Sequence, residues 1–156
     1  MVDASHSSEA LPIPFEDARV GDAMSRGVIS CPPETPLRIV ARMMTTFGVH
    51  AIFVFGPQGE DDDPKLWAVV SDLDLVAAAR LDLDAVTAGT TAVTPFVTVE
   101  ADRPIAEAAD RMAQNGVAHL AVTDPESGRP IGVISTLDVA GTVAAGLGSR
   151  ETFPSA

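Results

Sequence analysis

The sequence predicts an α+β fold in which two β-α-β-β-α units pack sheet to sheet about a pseudo-two-fold axis. Three observations lead there. "TPLRIVARMMTTFGVHAIFVF" (35–55) lies over "RPIAEAADRMAQNGVAHLAVT" (103–123) at an offset of 68. "VVSDLDLV" (69–76) returns as "VISTLDVA" (133–140) at an offset of 64. Each copy holds only about sixty residues, too few to bury a secure core alone, so the two are expected to share one.

The elements follow in order. A short apolar strand is expected near 28–30, matched by one near 96–98. Helices near 36–47 and 104–115 begin with Pro36 and Pro104 in the first turn. Leu37, Val40, Ala41 and Met44 recur at helical spacing, as do Ile105, Ala108, Ala109 and Met112. Gly48 and Gly116 stop these helices, because glycine takes the left-handed terminal conformation at little cost. Strands follow at 51–55 and 119–123, then at 67–70 and 131–134, and closing helices at 72–80 and 136–145. The offset drops in the turn GPQGEDDDPKL, about four residues longer than its partner DPESGRP, and a polar loop absorbs such a change without disturbing the rest. The expected organisation is a flexible arm (1–17), a first repeat (18–82), a second repeat (83–146) and a flexible tail (147–156). "LDAVTAG" (83–89), in the join, reads as one helical turn.

Composition narrows the function. Twenty-two acids face 10 bases, for a formal net charge of −12, which disfavours nucleic acid and anionic membranes. The single cysteine, Cys31, permits no internal disulfide and no CxxC pair. The first residues, MVDASHSSEALPIP, lack the basic start and apolar block of a secretion signal, and no apolar run reaches membrane-spanning length, so a cytoplasmic setting is expected.

The repeated Ser-x-x-Asp carries two readings. Ser71 and Ser135 stand between a strand and a helix, where a hydroxyl caps orphan backbone N–H groups. The same helix start suits a phosphate, and a carboxylate can accept from both hydroxyls of a ribose.

The repeated order, the strands "GVHAIFVF" and "GVAHLAV" and the closing "AVVSDLDLV" and "IGVISTLDVA" together resemble the CBS domain in its tandem-pair form, the Bateman module, over residues 18–146. The first copy departs at Ala68, where Gly132 stands in the second, and Phe53 and Ala121 stand where the family often has proline. The resemblance implies an adenosyl ligand (AMP, ADP, ATP or S-adenosylmethionine), with the Ser hydroxyl toward phosphate and the Asp toward ribose. It groups Ser30, Val49 and His50 with Ser71 and Asp74, and Thr98, Val117 and His119 with Ser135, Thr136 and Asp138. Phosphate-binding members often carry Lys or Arg beside the Ser; here the neighbours are Asp72 and Thr136. Asp72 repels a phosphate, so the second site, with Arg129 in the preceding turn, is favoured.

Other features read plainly. His50 and His119 sit one place apart in the alignment and are expected to face opposite sides. Two histidines and one cysteine make no zinc set, Cys31 reads as a small strand-end residue, and GEDDDP (59–64) as a solvated hairpin tip. The Ala/Gly-rich "LVAAARL" (75–81) and "VAGTVAAG" (139–146) suggest close helix approach in a homodimer. The expectation is a non-catalytic regulatory module that needs no cofactor or metal and transmits ligand binding to an unknown partner protein. The alternative is a constitutive interaction module with vestigial sites.

Overall fold

A computed structural model of the chain describes residues 13–56, 65–92 and 97–146. The expected hairpin tip at 59–64, most of the N-terminal arm, the tail at 147–156 and the start of the strand at 96 lie outside the described residues.

Within these residues the chain runs α1 (Val20–Ala23), β1 (Ser25–Arg26), β2 (Ser30–Cys31), α2 (Leu37–Phe47), β3 (Ala51–Gly56), β4 (Lys65–Ser71) and α3 (Asp72–Ala78). It continues through α4 (Ala88–Thr91), β5 (Thr98–Glu100), α5 (Ile105–Asn115), β6 (His119–Thr123), β7 (Pro130–Ser135) and α6 (Thr136–Gly146). In each copy a helical crossover makes the first strand parallel to the next, β2 to β3 and β5 to β6. The following turn brings β4 and β7 back antiparallel. Both ladders shift register at equivalent places, Val54/Phe55 and Val122/Thr123. The fold is α+β with two β-α-β-β-α repeats, as the sequence predicts.

The apolar spacing works as expected. Leu37, Val40 and Met44 of α2 are buried, as are Ile105, Ala108 and Met112 of α5. Both helices end on left-handed glycines, Gly48 at φ 64° and Gly116 at φ 61°. Pro36 and Pro104 cap these helices from just outside rather than occupying the first turn. The first strands form one or two residues later than expected, because Cys31 and Val99 are the residues that reach the cores.

Each core borrows a segment from the other copy's approach. Ala18, Val20 and Met24 join Val99, Ile105, Leu120 and Ile134. Ala88 joins Leu37, Val40, Ile52 and Val70. Backbone bonds repeat the exchange: Val20 N–H donates to Arg103 O at 2.9 Å and Ala88 N–H to Thr35 O at 2.8 Å. The helical turn expected at 83–89 therefore forms later, at Ala88–Thr91, where the Thr87 hydroxyl accepts from Thr90 N–H. Phe15, in the expected arm, packs on the second core.

Among the described residues the sheets differ by one strand: the first has the order β2-β3-β4 and the second β1-β7-β6-β5. The extra strand pairs Ser25 with Val133 and Arg26 with Gly132. A Cβ at position 132 would lie 2.3 Å from the Ser25 carbonyl oxygen, so only glycine admits β1 at this distance. The matching position of the first sheet holds Ala68.

Candidate functional site

Packing the copies about the pseudo-two-fold creates two related clefts. The larger, about 420 Å³, is walled by Ile29, Gly48, Val49 and His50 of the first copy and by Ser135, Leu137 and Asp138 of the second. The smaller, about 170 Å³, is walled by Val97, Gly116, Val117 and Ala118 of the second copy and by Ser71, Asp72 and Leu73 of the first. Ala51, Phe53, His119 and Val133 line both.

The structure thus exchanges the partners that the sequence grouped within one copy. Val49 and His50 meet Ser135 and Asp138, and Val117 meets Ser71, whereas His119 lines both clefts and so also keeps the company of Ser135 and Asp138. The reason is the two-fold packing: it sets the start of each closing helix against the Gly-Val segment of the other copy. Ser30, Asp74 and Thr98 are not among the residues lining either cleft, and Thr136 faces an outer groove with Met112 and Val117. Arg129 is exposed in its turn and lines neither cleft.

Both Ser-x-x-Asp motifs form capping boxes. Ser71 N–H donates to Asp74 Oδ2 at 2.8 Å and Asp74 N–H to Ser71 Oγ at 3.2 Å. Ser135 N–H donates to Asp138 Oδ2 at 2.8 Å, and Asp138 N–H to Ser135 Oγ at 3.2 Å. In the second copy the Ser135 hydroxyl also donates to Asp138 Oδ2, at 2.9 Å. Both bonds that the Asp138 carboxylate accepts here use Oδ2, so its Oδ1 keeps its acceptor sites among the described residues.

The histidines do not face opposite sides. Their rings stack with centroids 6.0 Å apart and planes 21° from parallel, because the two-fold brings the beginnings of β3 and β6 together. His50 Nδ1 lies 2.8 Å from Asp72 Oδ2. Burial pushes the His119 pKa down, against the opposing pull of Asp72. Cys31 is buried in the first core, and that burial pushes its thiol pKa up, the reverse of what a nucleophile needs.

One residue escaped the sequence reading. Arg26 of β1 lines the larger cleft, is exposed, and makes no hydrogen bond or ion pair with a described residue. A two-residue strand carries no alternation to reveal it. The available signal was the repeat itself, which extends upstream: Gly21 matches Gly89 at the same offset of 68.

With that geometry in view, the sequence profile of the CBS domain matches residues 20–81 and 89–145. The chain belongs to the CBS domain family. Its structure is similar to that of the CBS domain protein PAE2072 from Pyrobaculum aerophilum complexed with AMP, at 27% identity and a TM-score of 0.68, covering 81% of this chain and 98% of that one. It is similar to Hypoxic Response Protein I with two coordinated zinc ions, at 28% identity and a TM-score of 0.62, covering 80% and 98%. The CBS domain pair of MJ0100 in complex with 5′-methylthioadenosine and S-adenosyl-L-methionine shares the fold, at 16% identity, a TM-score of 0.69 and coverage of 81% and 96%. No curated protein matches the chain in sequence. Among the described residues of this CBS pair, no group of three or more His, Cys, Asp or Glu is placed to hold a metal ion, and no helix is long and apolar enough to cross a membrane.

Proposed function

We propose that this CBS pair is a non-catalytic sensor that binds an adenosine-containing ligand in the larger cleft and passes the event to a partner protein. The carrying observation is the meeting, in one cleft, of a cation (Arg26), a helix start capped by Ser135 and an acceptor carboxylate (Asp138). Size separates the two clefts. Small-molecule pockets run about 300–1,000 Å³; one cleft is about 420 Å³ and the other about 170 Å³. Charge points the same way, since Arg26 offsets Asp138 in the larger cleft whereas Asp72 stands without an Arg or Lys among the described residues lining the smaller one. A relative of 27% identity was solved with AMP, which supports an adenosyl class.

The signal would be a shift between two relative settings of the copies, each cleft having walls from both. The closing helices expose Leu73 and Val76 on α3 and Leu137 and Val143 on α6. Leu73 and Leu137 are pseudo-equivalent, so a second molecule related by a two-fold axis can cover both at once, and a homodimer completes the proposal. Sedimentation equilibrium at micromolar concentration should give twice 16.2 kDa, and a monomer would remove that part.

Thermal shift with AMP, ADP, ATP, S-adenosylmethionine and adenosine tests the ligand. A ligand at 100 times its dissociation constant stabilises by about 2.7 kcal/mol, and Asp138→Asn should abolish the shift while keeping an oxygen for the cap. No melting change with any of the five would favour a constitutive interaction module instead.

A further inference from the structure

Resting on the adenosyl reading of the larger cleft, we infer that Arg26 selects the phosphorylated form of the ligand, and that Gly132 holds it there by admitting β1 to the sheet edge. Arg26 is the cleft's one arginine or lysine among the described residues. The guanidinium is uncommitted: no described carboxylate or carbonyl takes it. By contrast, the basic side chains of Arg38 and Arg103 are engaged by Asp84 and Glu107.

Its position is fixed by backbone. Arg26 pairs with Gly132, and the next residue's N–H, Gly27, donates to Ile131 O at 2.9 Å. Opposite Arg26 stands the start of α6, whose partial positive charge also attracts an anion, although its Thr136 and Asp138 N–H groups are already taken by Ala118 O and Ser135 Oγ. A phosphate there would sit between a cation and a helix start, with the Asp138 carboxylate available for the ribose. The smaller cleft also has a helix start, that of α3, but among the described residues no Arg or Lys lines it, and Asp72 adds a negative charge.

Three properties follow. The native protein should bind AMP at least tenfold more tightly than adenosine. Arg26→Gln should weaken AMP about tenfold to a hundredfold, the range for loss of a charge-assisted hydrogen bond, and leave adenosine unchanged. Gly132→Ala, which keeps Arg26 but forces β1 outward, should weaken AMP in the same selective way.

Isothermal titration of AMP and adenosine against the full chain and both variants decides, with circular dichroism to establish folding. Arg26 is exposed, so its substitution spares the core even if Gly132→Ala unfolds the sheet edge. An AMP-to-adenosine preference that survives Arg26→Gln overturns the inference. Equal binding of AMP and adenosine by the native chain also overturns it while leaving the adenosyl site standing. Binding of neither overturns the site reading itself.

Discussion

His119 is half-buried between groups of opposite sign. His50 faces it from the start of β3, Asp72 from α3 and Asp138 from α6. Burial is the largest influence and favours the neutral ring, so the folded pKa lies below the ordinary 6.5. The sign follows from proton counting. Just below pH 6.5 the unfolded chain binds more protons at this position than the folded one, so stability is full above that pH and falls as acid is added, until the folded pKa is reached. His119→Asn cannot charge. Between pH 7 and 5, urea unfolding should therefore show a smaller loss of stability in His119→Asn than in the native protein. Equal slopes would mean that the ring is as free to protonate in the fold as in water.

At the scale of elements, the two capping boxes show what a Ser-x-x-Asp pattern can reveal. Its spacing located the starts of α3 and α6 to the residue, because a cap is a local device whose partners lie three positions apart. Helical periodicity found α2 and α5 for the same reason. Sheet-to-sheet packing about a pseudo-two-fold was legible from the repeat, but the details of how the copies meet stayed hidden. The exchange of α1 and α4 between cores, the pairing of β1 with β7 and the crossed membership of the clefts all depend on how two units dock, and no spacing along one chain encodes that. Gly132 was visible as a difference from Ala68, yet its role, room for β1 against β7, emerged only from the 2.3 Å approach of the Ser25 carbonyl. The caps allow a separation of roles. Ser71→Ala and Ser135→Ala should each lose about 1 kcal/mol of stability in urea, since each removes one cap. Only Ser135→Ala should also weaken AMP, because Ser135 lines the larger cleft and Ser71 the smaller. Equal AMP binding in both variants would reduce Ser135 to a capping role.

At the scale of the whole molecule, the two copies are joined in two ways. Each lends a segment to the other's core, and each supplies walls to both the larger and the smaller cleft. A ligand in the larger cleft would touch Val49 and His50 on one side and Ser135 and Asp138 on the other, so its binding energy would oppose separation of the copies rather than rigidify either alone. A ligand held wholly by one copy would stabilise that copy's local openings only. Hydrogen exchange distinguishes the cases. With saturating AMP, amide protection should rise together in 48–53 and 133–139, while the first turn of α3, against the smaller cleft, changes least. Protection confined to 133–139 would place the ligand on the second copy alone, and the proposed route from cleft to partner, a change in how the copies sit on one another, would lose its physical basis.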